Sequence, residues 1–177
     1  MINNPNGKTF NGLFRGTVIN NIDPEFRGRL QLEIPDVLGA IPSSWAEPCL
    51  LLAGPTGPPM GAYFVPPIGA GVWVEFEHGD PDFPVWTGCR WGGPSDVPPL
   101  AKAGLPVSPN IVLQTLGQNS LVISDLPGPT GGIMIKSLTG ASIIVNDTGI
   151  YIQNGKGASL VMVGPSVTIN NGALVVI

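Results

Sequence analysis

Charge is what this sequence has least of. Of its 177 residues only 11% are Asp, Glu, Lys or Arg, less than half the usual share, and none of these lies between Gly157 and Ile177. The eight cations (Lys8, Arg15, Arg27, Arg29, Arg90, Lys102, Lys136 and Lys156) are scattered and the net charge is −4, so no phosphate-tracking groove forms and nucleic acid is not expected as a partner. Cysteine is nearly absent too. Cys49 and Cys89 have no metal-ligand neighbours and cannot frame a small secreted domain, so they are expected as two buried thiols rather than a bridge. No run approaches the roughly 20 apolar residues of a membrane span. The opening MINNPNGKTFNG has neither the basic start nor the apolar stretch of a secretion signal, and assembly in the cytoplasm is expected.

Helical spacing is missing as well: before Gly92 a Pro or Gly interrupts every candidate run, the chain holding 20 and 25 of them. Yet 43% of residues are apolar, too many for disorder. Short strands between turns fit both facts, and the expected class is all-β. LFRGTVIN (Leu13 to Asn20) reads as one strand. GRLQLEIP (Gly28 to Pro35) reads as a second, with Leu30, Leu32 and Ile34 alternating against Gln31 and Glu33. DPEFRG between them is a turn. Further strands are expected over Trp45 to Leu52, in GAYFVP, in GVWVEFEHG, where Val72, Val74 and Phe76 oppose Trp73, Glu75 and Glu77, and in FPVWTGCRW. Five or six strands in so short a stretch predict an OB-like Greek-key barrel over residues 1–91. Residues 92–110, GGPSDVPPLAKAGLPVSPN, are expected to be a linker without regular structure.

From 111 to 177 another rhythm starts. IVLQTLGQN, SLVISDLPGPT, GGIMIKSLTG, ASIIVNDTG, IYIQNGKG, ASLVMVGPS, VTINNG and ALVVI are each a β-prone run ended by Gly, Asn, Asp or Pro. Such rungs cannot bury their apolar faces singly. Burying an Ile or Val stabilises by about 1.5 to 3 kcal/mol, ordering each residue's backbone costs about 1 to 2 kcal/mol, and only alternate side chains face inward. One copy therefore hovers near zero. SLVMV and ALVVI place apolar residues on both faces, so a lone layer would leave one face wet and its edges open to aggregation. Three chains intertwined as a β-helix, a closed triangular prism, would hide both, and a homotrimer is expected.

The string GTVINNIDPEFRGRLQLEIP, then WAEP, then GAYFVPPIGAGVWVEFEHGDPDFPVWTGCRWG, resembles the OB module of contractile-injection spikes: phage baseplate assembly protein V, the VgrG proteins and the spikes of extracellular injectors. The likeness rests on Asp23-Pro24 followed by Gly28-Arg29, and on Phe76, Gly79, Asp80, Pro81 and Pro84 downstream. The tail is similar to that family's triple-stranded β-helix needle. Members often carry an acidic residue where Ala70 stands, and neither a large preceding domain nor a lysozyme-like insert is seen, so the chain resembles a minimal spike. The resemblance implies a noncatalytic homotrimer without cofactors, seated on a baseplate hub or inner-tube-end protein of a phage tail or an extracellular or membrane-attached particle. It implies contact with the target membrane only on firing, and a PAAR-like tip protein docked on Ala173, Leu174, Val175, Val176 and Ile177. Arg27 and Arg29 are candidate subunit or hub contacts, although capping a turn opposite Asp23 or Glu25 accounts for them more simply.

Other chemistry is weakly signalled. Glu75 and Glu77 suit a glycosidase pair but read first as an exposed strand face. His78 lacks a second ligand or an orienting acid in sequence, and the GDPD run with Asp80 and Asp82 reads as a turn before it reads as a cation site. Trp73, Trp86 and Trp91 are expected to pack the barrel or its trimer contacts rather than stack on bases. Two rivals remain: a trimeric tail-fibre adhesin, for which only Tyr151 offers an aromatic near the end, and a β-helical polysaccharide-degrading enzyme, for which the tail has too few acids.

Overall fold

The computed structural model describes residues 7–54 and 57–176, with the side chain of Val175 outside the description. The chain divides into two compact units, Met1–Pro94 and Ser95–Ile177. The first contains β1 (Phe14–Asn20), β2 (Gln31–Glu33), a one-turn helix (Pro35–Leu38), β3 (Glu47–Pro48), β4 (Ala53–Gly54), β5 (Met60–Gly61), β6 (Gly71–Phe76) and β7 (Pro84–Arg90). Five of these form one sheet in the order β2-β1-β6-β7-β3, antiparallel except for the parallel pair β3 and β7.

The two edges of that sheet meet. Leu30 and Ala46 exchange both backbone hydrogen bonds, at 3.1 and 2.7 Å. Beyond them the Ser43 N–H donates to the Leu32 carbonyl, and the Leu32 N–H donates to the Ser43 hydroxyl. A sheet joined edge to edge has no free edge, so these bonds close a five-stranded barrel whose strand order is the OB one. Bulges between Val18 and Asn20 and opposite Trp73/Val74 add the local bend that closure needs. The alternation read in the sequence fills the interior: Leu30, Leu32, Ile34, Val72 and Val74 are fully buried, with Val18, Ala46, Phe76 and Trp86 around them. Gly16 in β1 is what lets β6 approach, because a Cβ there would lie 2.8 Å from a methyl of Val74.

Three expectations for this unit change. The strand expected over Trp45 to Leu52 shrinks to Glu47–Pro48, since Pro48 has no N–H to extend a ladder. GAYFVP contributes only Gly61, to the small hairpin of β4 and β5. Cys49 and Cys89 are free but exposed, not buried: one lies just past β3 and the other one residue before the end of β7, where the barrel wall runs out.

The second unit begins inside the expected linker, which is not wholly irregular. Pro98 and Pro99 preset a 3-10 turn, Pro99–Lys102, and the Asn110 amide donates to the Leu100 carbonyl. Eight strands follow: β8 (Ile111–Gln114), β9 (Ser120–Ser124), β10 (Gly132–Lys136), β11 (Ala141–Asn146), β12 (Gly149–Asn154), β13 (Ser159–Val163), β14 (Ser166–Ile169) and β15 (Leu174–Val176). They form one antiparallel sheet in chain order, one strand for each rung read in the sequence. The all-β class therefore holds for both units.

Candidate functional site

Residues directly opposite one another in antiparallel strands share a face, so register assigns both faces of the eight-stranded sheet. One column runs Ile111, Ile123, Ile133, Val145, Ile150, Met162, Val167, Val176, and beside it a second runs Leu113, Leu121, Ile135, Ile143, Ile152, Leu160, Ile169, Leu174. Every strand gives this face two apolar residues, and the paired positions that extend it are Ala141 and, as its one polar member, Asn154 at the end of β12. Most of the two columns, Ile133, Ile135, Ile143 and Val145 among them, stands exposed in the isolated chain. At about 4.8 Å per strand the stripe runs for nearly 40 Å, beyond the patches that monomers usually leave wet.

The opposite face is built differently. A central column of Val112, Val122, Met134, Ile144, Tyr151 and Val161 is flanked by a row of Gln114, Ser120, Lys136, Ser142, Gln153 and Ser159. Gln153 donates to the Ser142 hydroxyl within that row. The polar row thus sits on one face, while the two columns of the other offer nothing chemically except to leave water. The sequence had not separated the faces, because SLVMV and ALVVI are apolar at consecutive positions and only the register of neighbouring strands sorts them.

The candidate tip residues lie at the end of this sheet. Ala173 follows a 3-10 turn at Asn170–Gly172, and Leu174 and Val176 are 54% and 56% exposed as the last members of the two columns. Val175 pairs in register with Thr168, and Ile177 lies outside the described residues. Among the described residues β15 pairs only with β14, so its outer edge offers backbone groups to an incoming strand.

Arg27 and Arg29 fall on the first unit, in the turn between β1 and β2. Asp23 organises that turn by accepting the N–H groups of Glu25, Arg27 and Arg29 together with the Nε and Nη2 of Arg29, the last at 2.7 Å. Arg29, its side chain 11% exposed, also lies over the Trp45 ring. Arg27 stays on the surface, paired with Glu25 and Glu47, an arrangement of small energetic weight. Arg29 therefore does the turn-capping that the simpler reading gave it. Sequence reasoning missed Phe26, which projects from this turn at a φ of +55° and is 83% exposed; nothing in a non-glycine residue's identity marks a positive φ.

The Arg29 side chain, and then the backbone N–H groups, hold the Asp23 carboxyl well below its ordinary 3.8, against the opposing effect of burial. A carboxyl depressed in the folded state stabilises fully above the ordinary carboxylate range and loses that contribution as pH falls below it. The barrel's melting temperature is thus expected to fall between about pH 5 and pH 2. Asp23→Asn should melt lower at neutral pH and show a shallower acid slope. Thermal melts of both proteins across that range check this, and parallel slopes would count against the role of Asp23.

The remaining candidates form no reactive site. Glu75 is exposed on β6, but Glu77 opens a 3-10 turn instead of continuing the strand, so the two do not share its face. His78 sits exposed in that turn at a φ of +54°, and Asp80 accepts the Asp82 N–H as a turn residue does. Trp86 packs inside the barrel and donates to the Gly28 carbonyl, whereas Trp91 is exposed. Among the described residues no group of His, Cys, Asp and Glu could hold a metal, and no helix is long and apolar enough to cross a membrane.

Comparison with known families matches both units. Residues 14–91 match the model described as the type VI secretion system/phage-baseplate injector OB domain. Residues 110–175 match the one described as the phage baseplate V C-terminal trimerisation domain. No curated protein matches the chain.

Proposed function

Because the chain belongs to the phage baseplate V family, with that family's injector OB domain followed by its C-terminal trimerisation domain, we propose that it is the homotrimeric central spike of a contractile injection machine. The observation carrying this reading is the two-column aliphatic face. Three copies would turn their faces to a common axis, and residues 111–177 of each would form one needle, with residues 1–91 as the barrel domain and 92–110 as the connection. At about 1.5 to 3 kcal/mol per fully buried aliphatic side chain, and roughly half of each still wet in one chain, closure would gain on the order of 10 kcal/mol per chain. That is comparable to the whole stability of an ordinary domain.

The function so read is mechanical. The barrels seat on a baseplate hub or inner-tube-end protein, and the needle carries the thrust of sheath contraction to the target envelope. Axial load falls on many rungs of backbone hydrogen bonds at once, so no single bond has to bear it. The terminal strand, with its open edge and the exposed Leu174 and Val176, is the docking platform for a PAAR-like tip protein. No step of this work requires a catalytic group, a cofactor or nucleic acid. The protein would be assembled in the cytoplasm and would meet a membrane only on firing.

Equilibrium sedimentation of the purified chain tests the assembly: a mass three times that of the chain is expected at micromolar concentration, and a folded monomer would refute it. Docking is tested separately. Ala173→Asp, at an exposed position outside the two aliphatic columns, places three charges on the platform, so co-purification of the particle's tip protein should fall at least tenfold while the trimer mass is kept. Unchanged co-purification would remove the tip from this surface.

A further inference from the structure

We infer that the turn from Asp23 to Arg29 is a contact element between the barrels of neighbouring copies, with Phe26 as its anchor. The inference rests on the self-association proposed above.

Three properties of the turn lead there. It is rigid, since one carboxylate holds three backbone N–H groups and a guanidinium, so an anchor on it loses little freedom on binding. It is also strained. A bulky residue in the left-handed region is a genuine outlier, whereas glycine would occupy a φ of +55° freely. The bonds to Asp23 account for the backbone there but not for the ring, which is 83% exposed within its own chain, as is Ile22 four residues earlier at 77%. Rigid aromatic side chains of this kind dominate the energetics of protein interfaces.

The occupant is a second copy. The C-terminal domain tethers the chains, so other barrels meet this turn at an effective concentration in the millimolar range, where one anchored contact suffices without high intrinsic affinity. The neighbouring Glu25, Arg27 and Glu47 are engaged with one another, so the turn presents an apolar ring rather than a charge seeking its opposite. A cyclic assembly needs an anchor and a different receiving surface on the same protein, and exposed Leu51, Met60 and Phe64 provide one on this unit.

The test uses the full chain, purified without any other baseplate protein, carrying a photoreactive phenylalanine analogue at position 26. Irradiation should give covalent dimers and trimers on a denaturing gel, with adducts mapping to residues 14–91 of another copy. With the photoreactive residue moved to position 22, Phe26→Gly should cut the yield at least fivefold without unfolding the turn, since glycine accepts its backbone geometry. A trimer by sedimentation that gives no covalent dimer overturns this inference and leaves the trimer standing. Adducts mapping only to residues 110–175, or formed only when a baseplate extract is added, overturn it as well. A sedimenting monomer overturns both.

Discussion

Replacing Ile135 with Asp is expected to disperse the proposed trimer into monomers. Ile135 lies in the second aliphatic column, opposite Leu121 on one side and Ile143 on the other, and is 53% exposed in a single chain. Closing the prism would bury it, and a carboxylate in its place would be desolvated at a cost of several kcal/mol with no cation on that face to pair with. Together with the lost aliphatic burial this amounts to about 5 kcal/mol per chain. The symmetry of a trimer repeats the penalty in every copy, giving about 15 kcal/mol or some ten orders of magnitude in the association constant. Sedimentation at micromolar concentration should then find the single-chain mass, with the barrel's own melting transition unchanged. Lys136→Asp is the matched control: the next residue along, on the polar row of the opposite face and exposed, should keep the trimer. A trimeric Ile135→Asp protein would show that the aliphatic face is not what holds the copies together.

The contrast between those two neighbours also marks how far the sequence could be read. The rungs were legible because each ends in a residue that breaks a strand, such as Gly117, Pro127, Gly140, Asp147, Gly155 or Gly164, and one strand lies in each interval. The barrel interior was legible in Leu30, Leu32 and Ile34, where polar residues separate apolar ones and fix which side is wet. In the second unit that marker fails. Ile143, Ile144 and Val145 are consecutive and aliphatic, and Ile144 parts from its neighbours only once Tyr151 and Met134 are seen to lie opposite it. Register is a property of pairs of strands, so a single strand cannot declare it. Phe26 shows a different limit. The turn was readable from Asp23, Pro24 and Gly28, but the left-handed residue turned out to be the aromatic as well as the glycine, since the bonds to Asp23 fix the intervening backbone. The cysteines misled for a third reason: thiols with neither ligand neighbours nor a disulfide framework read as buried ones, while the shortness of β3 and the end of β7 leave both outside.

Gly132→Val should unfold the second unit while sparing the first. Gly132 opens β10 at a φ of +87°, and a Cβ there would overlap the Val145 carbonyl oxygen and come within 2.8 Å of the Asn146 Cβ. Both obstacles belong to β11, the strand that β10 must pair with, and a backbone atom cannot rotate aside as a side chain can. The left-handed conformation and the overlap together should cost about 4 kcal/mol per chain. Summed over a trimer this is about 12 kcal/mol, a substantial share of the roughly 30 kcal/mol that closing three aliphatic faces would gain. Calorimetry should therefore show the barrel's transition unmoved and the second unit's transition lost or lowered by more than ten degrees. Gly164→Ala separates the two causes, because Gly164 is also left-handed, at +53°, but has open space where its Cβ would lie. That variant meets only the conformational penalty, about 1 kcal/mol, and should trimerise normally. If both variants lowered the transition equally, the positive φ alone would be responsible, and the tight approach of β10 to β11 would not be what the glycine at 132 makes possible.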